Sequence, residues 1–226
     1  MRGVFVTGTD TGAGKTLVAT ALLHALRTHG VLAAGFKPVA AGAELRDGRL
    51  VNEDALALRE ASGLALPYAE VNPYCFEPPV APHIAAAEAG CRVAIAALRA
   101  AAQRLAGQAD FLVVEGAGGW RVPLGPDLDM QGLAGALELP VLLVVGLRLG
   151  CLNHALLTAD AIRASGQVLL GWVGSAVEAQ MPHREENIVT LRERLDAPCL
   201  GVIPHLRTVD AQTVAARLDV GPLLGC

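Results

Sequence analysis

Short apolar runs alternate along this chain with longer stretches whose apolar positions recur three and four residues apart. Val4-Phe5-Val6, Leu32 to Phe36, Phe111 to Val114, Val141 to Val145, Val168 to Val173 and Leu200 to Ile203 read as strands. Lys15 to Arg27, Glu53 to Ala61, Ala85 to Gly90, Val93 to Leu105, Leu152 to Ala164, Arg184 to Leu195 and Ala211 to Leu218 read as helices. Gly30 caps the first helix at its C-terminus. Pro38 cannot donate to a ladder and ends the second strand. Leu66 to Pro82, rich in Pro and Tyr, reads as a long loop. The alternation predicts an α/β fold, a mainly parallel β-sheet with helices on both faces. No repeat or linker divides the 226 residues, so a single domain over residues 1–226 is expected.

Composition sharpens this picture. Hydrophobic residues make up 53% of the chain but aromatics only 4%, so the core must be mostly Ala, Leu and Val. Such a core suits helices packed on a parallel sheet. The net charge of -4 argues against a nucleic-acid partner, which needs a basic face. The longest apolar run, near Pro140 to Leu147, is too short to span a bilayer. Val4 begins a strand and not a signal-peptide core. Cys75, Cys91, Cys151, Cys199 and Cys226 are scattered with no C-x-x-C, which points to reduced thiols. The expectation is a cytoplasmic protein with neither nucleic acid nor membrane as partner.

The chemistry begins at VFVTGTDTGAGKT, Val4 to Thr16. A strand, a glycine-rich turn and a helix make a phosphate cradle of inward backbone N–H groups and a helix N-terminus. Lys15 supplies charge to the terminal phosphates, and Thr16 offers a hydroxyl to Mg²⁺. Five residues, Thr9 to Ala13, separate Gly8 from Gly14, one more than G-x-x-x-x-G-K-[ST] allows. The loop is therefore a variant of that motif, and a nucleoside triphosphate is its expected ligand.

Two acids and a second lysine narrow the reaction. Glu115 follows the Phe111 to Val114 run, where an acid can hold Mg²⁺ directly or through water. A carboxylate there is costly unless paired. Asp54 opens a helix and is either its N-terminal cap or a metal ligand. Lys37 ends a buried strand and points to the crevice where α/β folds bind ligands. Beside a phosphate loop, a second lysine suggests chemistry on the γ-phosphate, where charge develops in the transition state.

Eight stretches then carry a resemblance, in order, over most of the chain. They are GTDTGAGKT (Gly8 to Thr16), GFKPVAAG (Gly35 to Gly42), NEDALAL (Asn52 to Leu58) and VNPYCFEPPVAPHIAA (Val71 to Ala86). VEGAGGWRVPL (Val114 to Leu124), LPVLLVVGLRLGCLNHALLT (Leu139 to Thr158), GWV (Gly171 to Val173) and LGVIPHL (Leu200 to Leu206) follow. The sequence resembles the dethiobiotin synthetase family of biotin biosynthesis, whose phosphate loop also carries the extra residue. The resemblance implies a P-loop NTPase-type fold and an ATP- and Mg²⁺-dependent ligase that forms carbon–nitrogen bonds. Its substrates would be 7,8-diaminononanoate and CO₂, joined through a carbamate and a carbamic–phosphoric anhydride into a cyclic urea.

The same resemblance assigns residues. Lys37 and Lys15 would be catalytic, and Thr16, Asp54 and Glu115 would hold the metal. The nucleotide would meet Gly12, Ala13, Gly14, Lys15, Thr16, Leu17, Asp54, Glu115, Gly116, Ala117 and Gly118. It would also meet Ser175, Ala176, Pro204, His205 and Leu206 at its base. Thr11, Lys37, Ala41 and Gly118 would face the diamine. Gly150, Cys151, Leu152 and Asn153, from the second subunit of a homodimer, would receive its distant carboxylate on the N–H groups of a helix start. His154 reads as an ordinary helix histidine.

The chain departs from the family at four places. Ala41 stands where Ser or Thr is frequent, and Gly12 where one familiar member has Glu. Ser175 stands at an adenine-reading Asn, and Asn187 at a Tyr of the carboxylate pocket. Two other readings compete with this one. A cobalamin-pathway amide synthetase carries a further glutamine-hydrolysing domain, for which 226 residues leave no room. A dimeric nucleotide-switch ATPase of the partition or septum-positioning type carries a signature lysine near the start of its loop. Asp10 to Gly14 contains none, and the tail Val220 to Cys226 is short and carries no basic residue.

Overall fold

The computed structural model describes residues 1–206 and 210–225. The chain opens with β1 (Gly3–Gly8), α1 (Lys15–Thr28), β2 (Ala33–Phe36), β3 (Val39–Ala41), β4 (Glu44–Arg46), β5 (Arg49–Val51) and α2 (Glu53–Ser62). Next come α3 (Tyr68–Val71), β6 (Tyr74–Phe76), α4 (Pro82–Glu88), α5 (Ile95–Ala106), β7 (Phe111–Glu115), β8 (Pro123–Gly125) and β9 (Leu128–Asp129). It ends with α6 (Met130–Leu137), β10 (Val141–Gly146), α7 (Cys151–Ala164), β11 (Leu169–Ser175), α8 (Arg184–Arg194), β12 (Cys199–Ile203), α9 (Ala211–Ala215) and α10 (Gly221–Leu224).

Six strands form one parallel sheet in the order β12-β11-β10-β1-β7-β2. β1 lies inside it, with β7 and β2 on one side and β10, β11 and β12 on the other. The chain order reverses direction across β1. Ligands of open α/β sheets bind at such a switch, beyond the C-terminal strand ends. Gly8 ends β1, Phe36 ends β2 and Glu115 ends β7, so all three lead into one crevice.

The strands are apolar on both faces because helices cover both. Val4 and Val6 pack with Leu22 and Leu26 of α1, whereas Phe5 points the other way toward Trp120, Met130 and Leu133. Leu143, Val145 and Trp172 bury the inner faces of α7 and α8. The edge strand β2 is closed by α2. Gly35 N–H donates to Ser62 Oγ at 2.8 Å, and that hydroxyl donates to Leu58 O at 2.7 Å.

The structure corrects the expectation at several elements. Leu66 to Pro82 is no plain loop: it holds α3 and β6, and α4 starts at Pro82. Pro38 does end β2, but the chain resumes at once as β3, which pairs in parallel with β6 outside the main sheet. β4 and β5 form a hairpin closed by Asp47 and Gly48, both at positive φ, a two-residue turn that such residues favour. α6 has a weak sequence signal, since two of its eight residues are Gly, which weakens helix propensity. Asp129 caps it by accepting from Gly132 N–H at 2.8 Å. The last helix expected, Ala211 to Leu218, stops at Ala215, and α10 follows.

No helix among the described residues is long and apolar enough to cross a membrane. Cys75, Cys91, Cys151 and Cys199 carry free thiols, and Cys226 lies outside the described residues. Ser62 is 2% exposed. Ser62→Ala strands the Gly35 N–H without a partner and should cost about 1–3 kcal/mol. A lowered urea midpoint with an unchanged slope checks this.

Candidate active site

The turn after β1 and the start of α1 build the floor of the crevice. Gly14 precedes α1 at φ 93°, and a Cβ there would lie 2.5 Å from Ser175 Oγ. Only glycine allows both that backbone and that approach. Thr9 N–H donates to Val144 O at 2.9 Å, which ties the loop to β10. Lys15 is buried and reaches back to Asp10 O at 3.0 Å. Burial, with Lys37 adding to it, lowers its pKa to about 8. A phosphate oxygen would be a better partner for that ammonium than a loop carbonyl.

Beside the loop sits a compact charge cluster. Lys37 Nζ lies 2.8 Å from Asp54 Oδ2 and 2.6 Å from Glu115 Oε1. Thr16 Oγ1 lies 2.8 Å from Asp54 Oδ1 and 2.9 Å from Glu115 Oε1. Burial works against the charge on Lys37, but the two carboxylates outweigh it and hold the ammonium above its ordinary range. Burial also opposes the charge on Asp54, yet Lys37, Thr16 and Lys15 keep it below the usual carboxylate range. Glu115 goes the other way: burial, reinforced by Asp54, pushes its carboxyl up despite Lys37.

Whether Asp54 is a cap is answered by its neighbour. Asn52 caps α2, its side-chain oxygen accepting from Asp54 N–H at 3.1 Å and Ala55 N–H at 3.4 Å. The Asp54 carboxylate is thereby left to Thr16 and Lys37. Lys37 is delivered by the break between β2 and β3, and its N–H is held by Val71 O at 2.8 Å.

The donor set suits a divalent cation. Thr16 has one hydroxyl proton for two carboxylate oxygens, so the cluster is rich in acceptors. Glu115 Oε2 is buried and makes no hydrogen bond. Among the described residues, no group of three or more His, Cys, Asp or Glu is placed to hold a metal alone. Two acids and a hydroxyl leave room for phosphate oxygens and waters, the usual completion around Mg²⁺.

The crevice encloses about 710 Å³. Thr11, Gly12, Gly14, Lys15, Thr16, Lys37, Ala41, Asp54, Glu115, Ala117 and Gly118 all line it. Ala13 is buried against Gly146 behind the loop, and Leu17 continues α1. Gly118, at φ 61°, has Val122 so close that a Cβ would lie 2.7 Å from it. Ser175, Ala176 and Pro204 to Leu206 gather separately at the ends of β11 and β12. There Ala176 N–H donates to Ile203 O at 2.9 Å, and His205 Nδ1 lies 3.2 Å from Ala176 O. Ser175 Oγ faces Gly14, which joins this group to the loop.

Gly150 to Asn153 do not line the crevice of this chain. Gly150, at φ 94°, opens α7 with no side-chain cap. Asn187 sits on α8 and donates to His183 O at 2.8 Å. Sequence reading missed Ala40, Asn52, Val122 and the rim Pro79 to Pro82, which also line the crevice. Most of these are apolar and carry no chemical signature; the family stretches quoted above contain them.

Residues 2–213 match the family described as AAA domain. The ATP-dependent dethiobiotin synthetase BioD of Cellvibrio japonicus (strain Ueda107) is 52% identical over 223 residues, 99% of this chain and 98% of that protein. This chain belongs to the dethiobiotin synthetase family. The enzyme of that name from Aromatoleum aromaticum is 54% identical over 217 residues, 96% of each chain. One from Pseudomonas aeruginosa PAO1 is 53% identical over 224 residues, 99% of this chain and 98% of that one. Among solved structures, the septum site-determining protein MinD of Pyrococcus horikoshii, complexed with Mg-ADP, aligns with a TM-score of 0.58. It is 18% identical, and the alignment covers 98% of this chain and 88% of that one. That likeness shows a shared fold.

Lys37→Met should leave Glu115 buried without its ion-pair partner, at a cost of about 3–5 kcal/mol in metal-free buffer. Excess Mg²⁺ should then raise the melting temperature of the variant more than that of the parent. Thermal unfolding in chelator and in Mg²⁺ reads both effects.

Proposed function

We propose that this chain, acting as one domain, closes 7,8-diaminononanoate with CO₂ into dethiobiotin and converts ATP to ADP and phosphate. The observation that carries the reading is Lys37, fixed between Asp54 and Glu115 beside the phosphate loop. Relatives 52–54% identical over nearly the whole chain bear the name of that activity.

In the proposed reaction, one substrate amine adds to CO₂ and loses a proton, forming a carbamate. A carbamate oxygen attacks the γ-phosphorus, and ADP leaves. The second amine attacks the carbonyl of the resulting anhydride, phosphate leaves, and the cyclic urea closes. Carbamate and γ-phosphate are both anionic and repel each other. Lys15 and Lys37 supply fixed positive charge where they meet, which stabilises charge without reorganisation. Thr16, Asp54 and Glu115 would hold Mg²⁺, which contributes charge neutralisation at the phosphates. Thr11, Ala41 and Gly118 would flank the diamine. The loop N–H groups and Gly12 to Leu17 would hold the phosphates, and Ser175, Ala176 and Pro204 to Leu206 the base.

The reading includes a homodimer. Gly150 to Asn153 lie off this chain's own crevice, so the tail carboxylate would need them from a second copy. Leu149 is 94% exposed and Leu157, one face of α7 further on, 61%. Apolar side chains so exposed beside that helix start favour a covered surface.

The function is tested by incubating the protein with 7,8-diaminononanoate, bicarbonate and Mg²⁺, with ATP, CTP, GTP and UTP in separate tubes. Mass spectrometry should find dethiobiotin, and its absence with every nucleotide would sink the reading. Lys37→Met should still bind ATP while turnover falls on the order of 10²–10³-fold. Light scattering should give a dimer, and Leu149→Asp should shift it to monomer with loss of turnover; an active monomer would refute the shared site.

A further inference from the structure

Neither Tyr68 nor Asn72 touches the crevice, yet both are built into its geometry. The Tyr68 hydroxyl accepts from Asn52 N–H at 2.7 Å and donates to Asn72 Oδ1 at 2.9 Å. Cys75 Sγ lies 3.5 Å from the same oxygen. Asn72 is 3% exposed, and its Nδ2 donates to Lys37 O at 2.7 Å and Tyr74 O at 3.1 Å. Asn52 in turn caps α2 through Asp54 N–H and Ala55 N–H. One hydroxyl therefore stands between the backbone that carries Lys37 and the backbone that carries Asp54.

These two segments have no ladder between them. Lys37 follows the edge strand β2, while Asp54 lies beyond the exposed β4–β5 hairpin. Their side chains meet at 2.8 Å, but that contact alone pulls two charges together without fixing where. Gly35 N–H to Ser62 Oγ joins β2 to the far end of α2, and Asn52 Nδ2 reaches Ala41 O and Gly42 O only at 3.4 Å. The path through Asn72, Tyr68 and Asn52 is the shorter uncharged tie beside Lys37 and Asp54, and it acts on main-chain atoms.

We propose that Tyr68 is a positioning residue for the reaction: its hydroxyl, held between Asn52 N–H and Asn72 Oδ1, sets the spacing of Lys37 and Asp54. The proposal rests on the functional reading above and adds a residue to it. The phosphate loop is braced separately, by β10, so losing the hydroxyl should spare nucleotide binding. Partners behind metal ligands typically govern affinity and rate by about 10–100-fold when removed. A small displacement of groups that must meet in line has a similar effect.

The test compares the parent with Tyr68→Phe, which keeps the ring, and with Asn72→Asp, which keeps the acceptor for Tyr68 but removes the donor to Lys37 O and Tyr74 O. Both are assayed below their measured melting temperatures. The expected result is a kcat lowered on the order of 10–10²-fold, with KM for ATP within about twofold of the parent. Mn²⁺ binding to the ADP complex, followed by electron paramagnetic resonance, should weaken about tenfold or more. Tyr74→Phe, which removes a hydroxyl that accepts from Ala94 N–H at 3.1 Å, serves as the control and should change neither. Parent-like kcat and Mn²⁺ affinity in Tyr68→Phe would overturn the proposal, and so would a loss shared equally by Tyr74→Phe. If Tyr68→Phe does not fold, the same readouts on Asn72→Asp decide. If the parent makes no dethiobiotin, the functional reading fails, and the Mn²⁺ comparison still decides the role of Tyr68.

Discussion

One ammonium holds this site together. Lys37 lies between Asp54 and Glu115, and both acids share the Thr16 hydroxyl. Four side chains from four separate elements converge because the buried Glu115 carboxylate, with the half-exposed Asp54 carboxylate beside it, needs a cation there. β1 and α1 bring Thr16, β7 brings Glu115, the end of β2 brings Lys37, and α2 brings Asp54. The fold can be read as a way of delivering those four ends to one place. Glu115 is the member under most tension, buried, pushed toward neutrality and with one oxygen unpartnered. A site in that state gains from further positive charge, which a divalent cation would supply.

Much of this was legible in the sequence, for physical reasons. The strands of the main sheet are apolar on both faces, so they stand out as short runs without alternation. The phosphate loop announces itself because glycines, a lysine and a threonine must occur together there. Lys37 was legible as an anomaly, a charge closing a buried strand. Asp54 was ambiguous, since an acid in the first turn of a helix suits either a cap or a ligand. The ambiguity is resolved by Asn52, two residues earlier, whose side chain takes the cap.

What escaped was structure with weak local signals. β3 and β6 are three residues each and pair only with one another, so no run length marks them. The Asp47-Gly48 hairpin did carry a turn signal, but its strands are three residues each and bury little, so no apolar run marks them. The crevice rim at Pro79 to Pro82 is chemically plain and matters only through shape. Tyr68, in turn, reads as an ordinary aromatic of a loop; its importance lies in three main-chain segments that meet only in the folded chain.

The small parallel pair of β3 and β6 stands apart from the six-stranded sheet. Much of the diamine-side wall in the proposed reaction belongs to that outlying piece and its neighbours, between residues 38 and 82, whereas the loop and β7 belong to the sheet. The molecule is thus partitioned between an engine and an adaptor. Divergence toward another anionic acceptor could rewrite the adaptor in sequence while the engine stayed as it is.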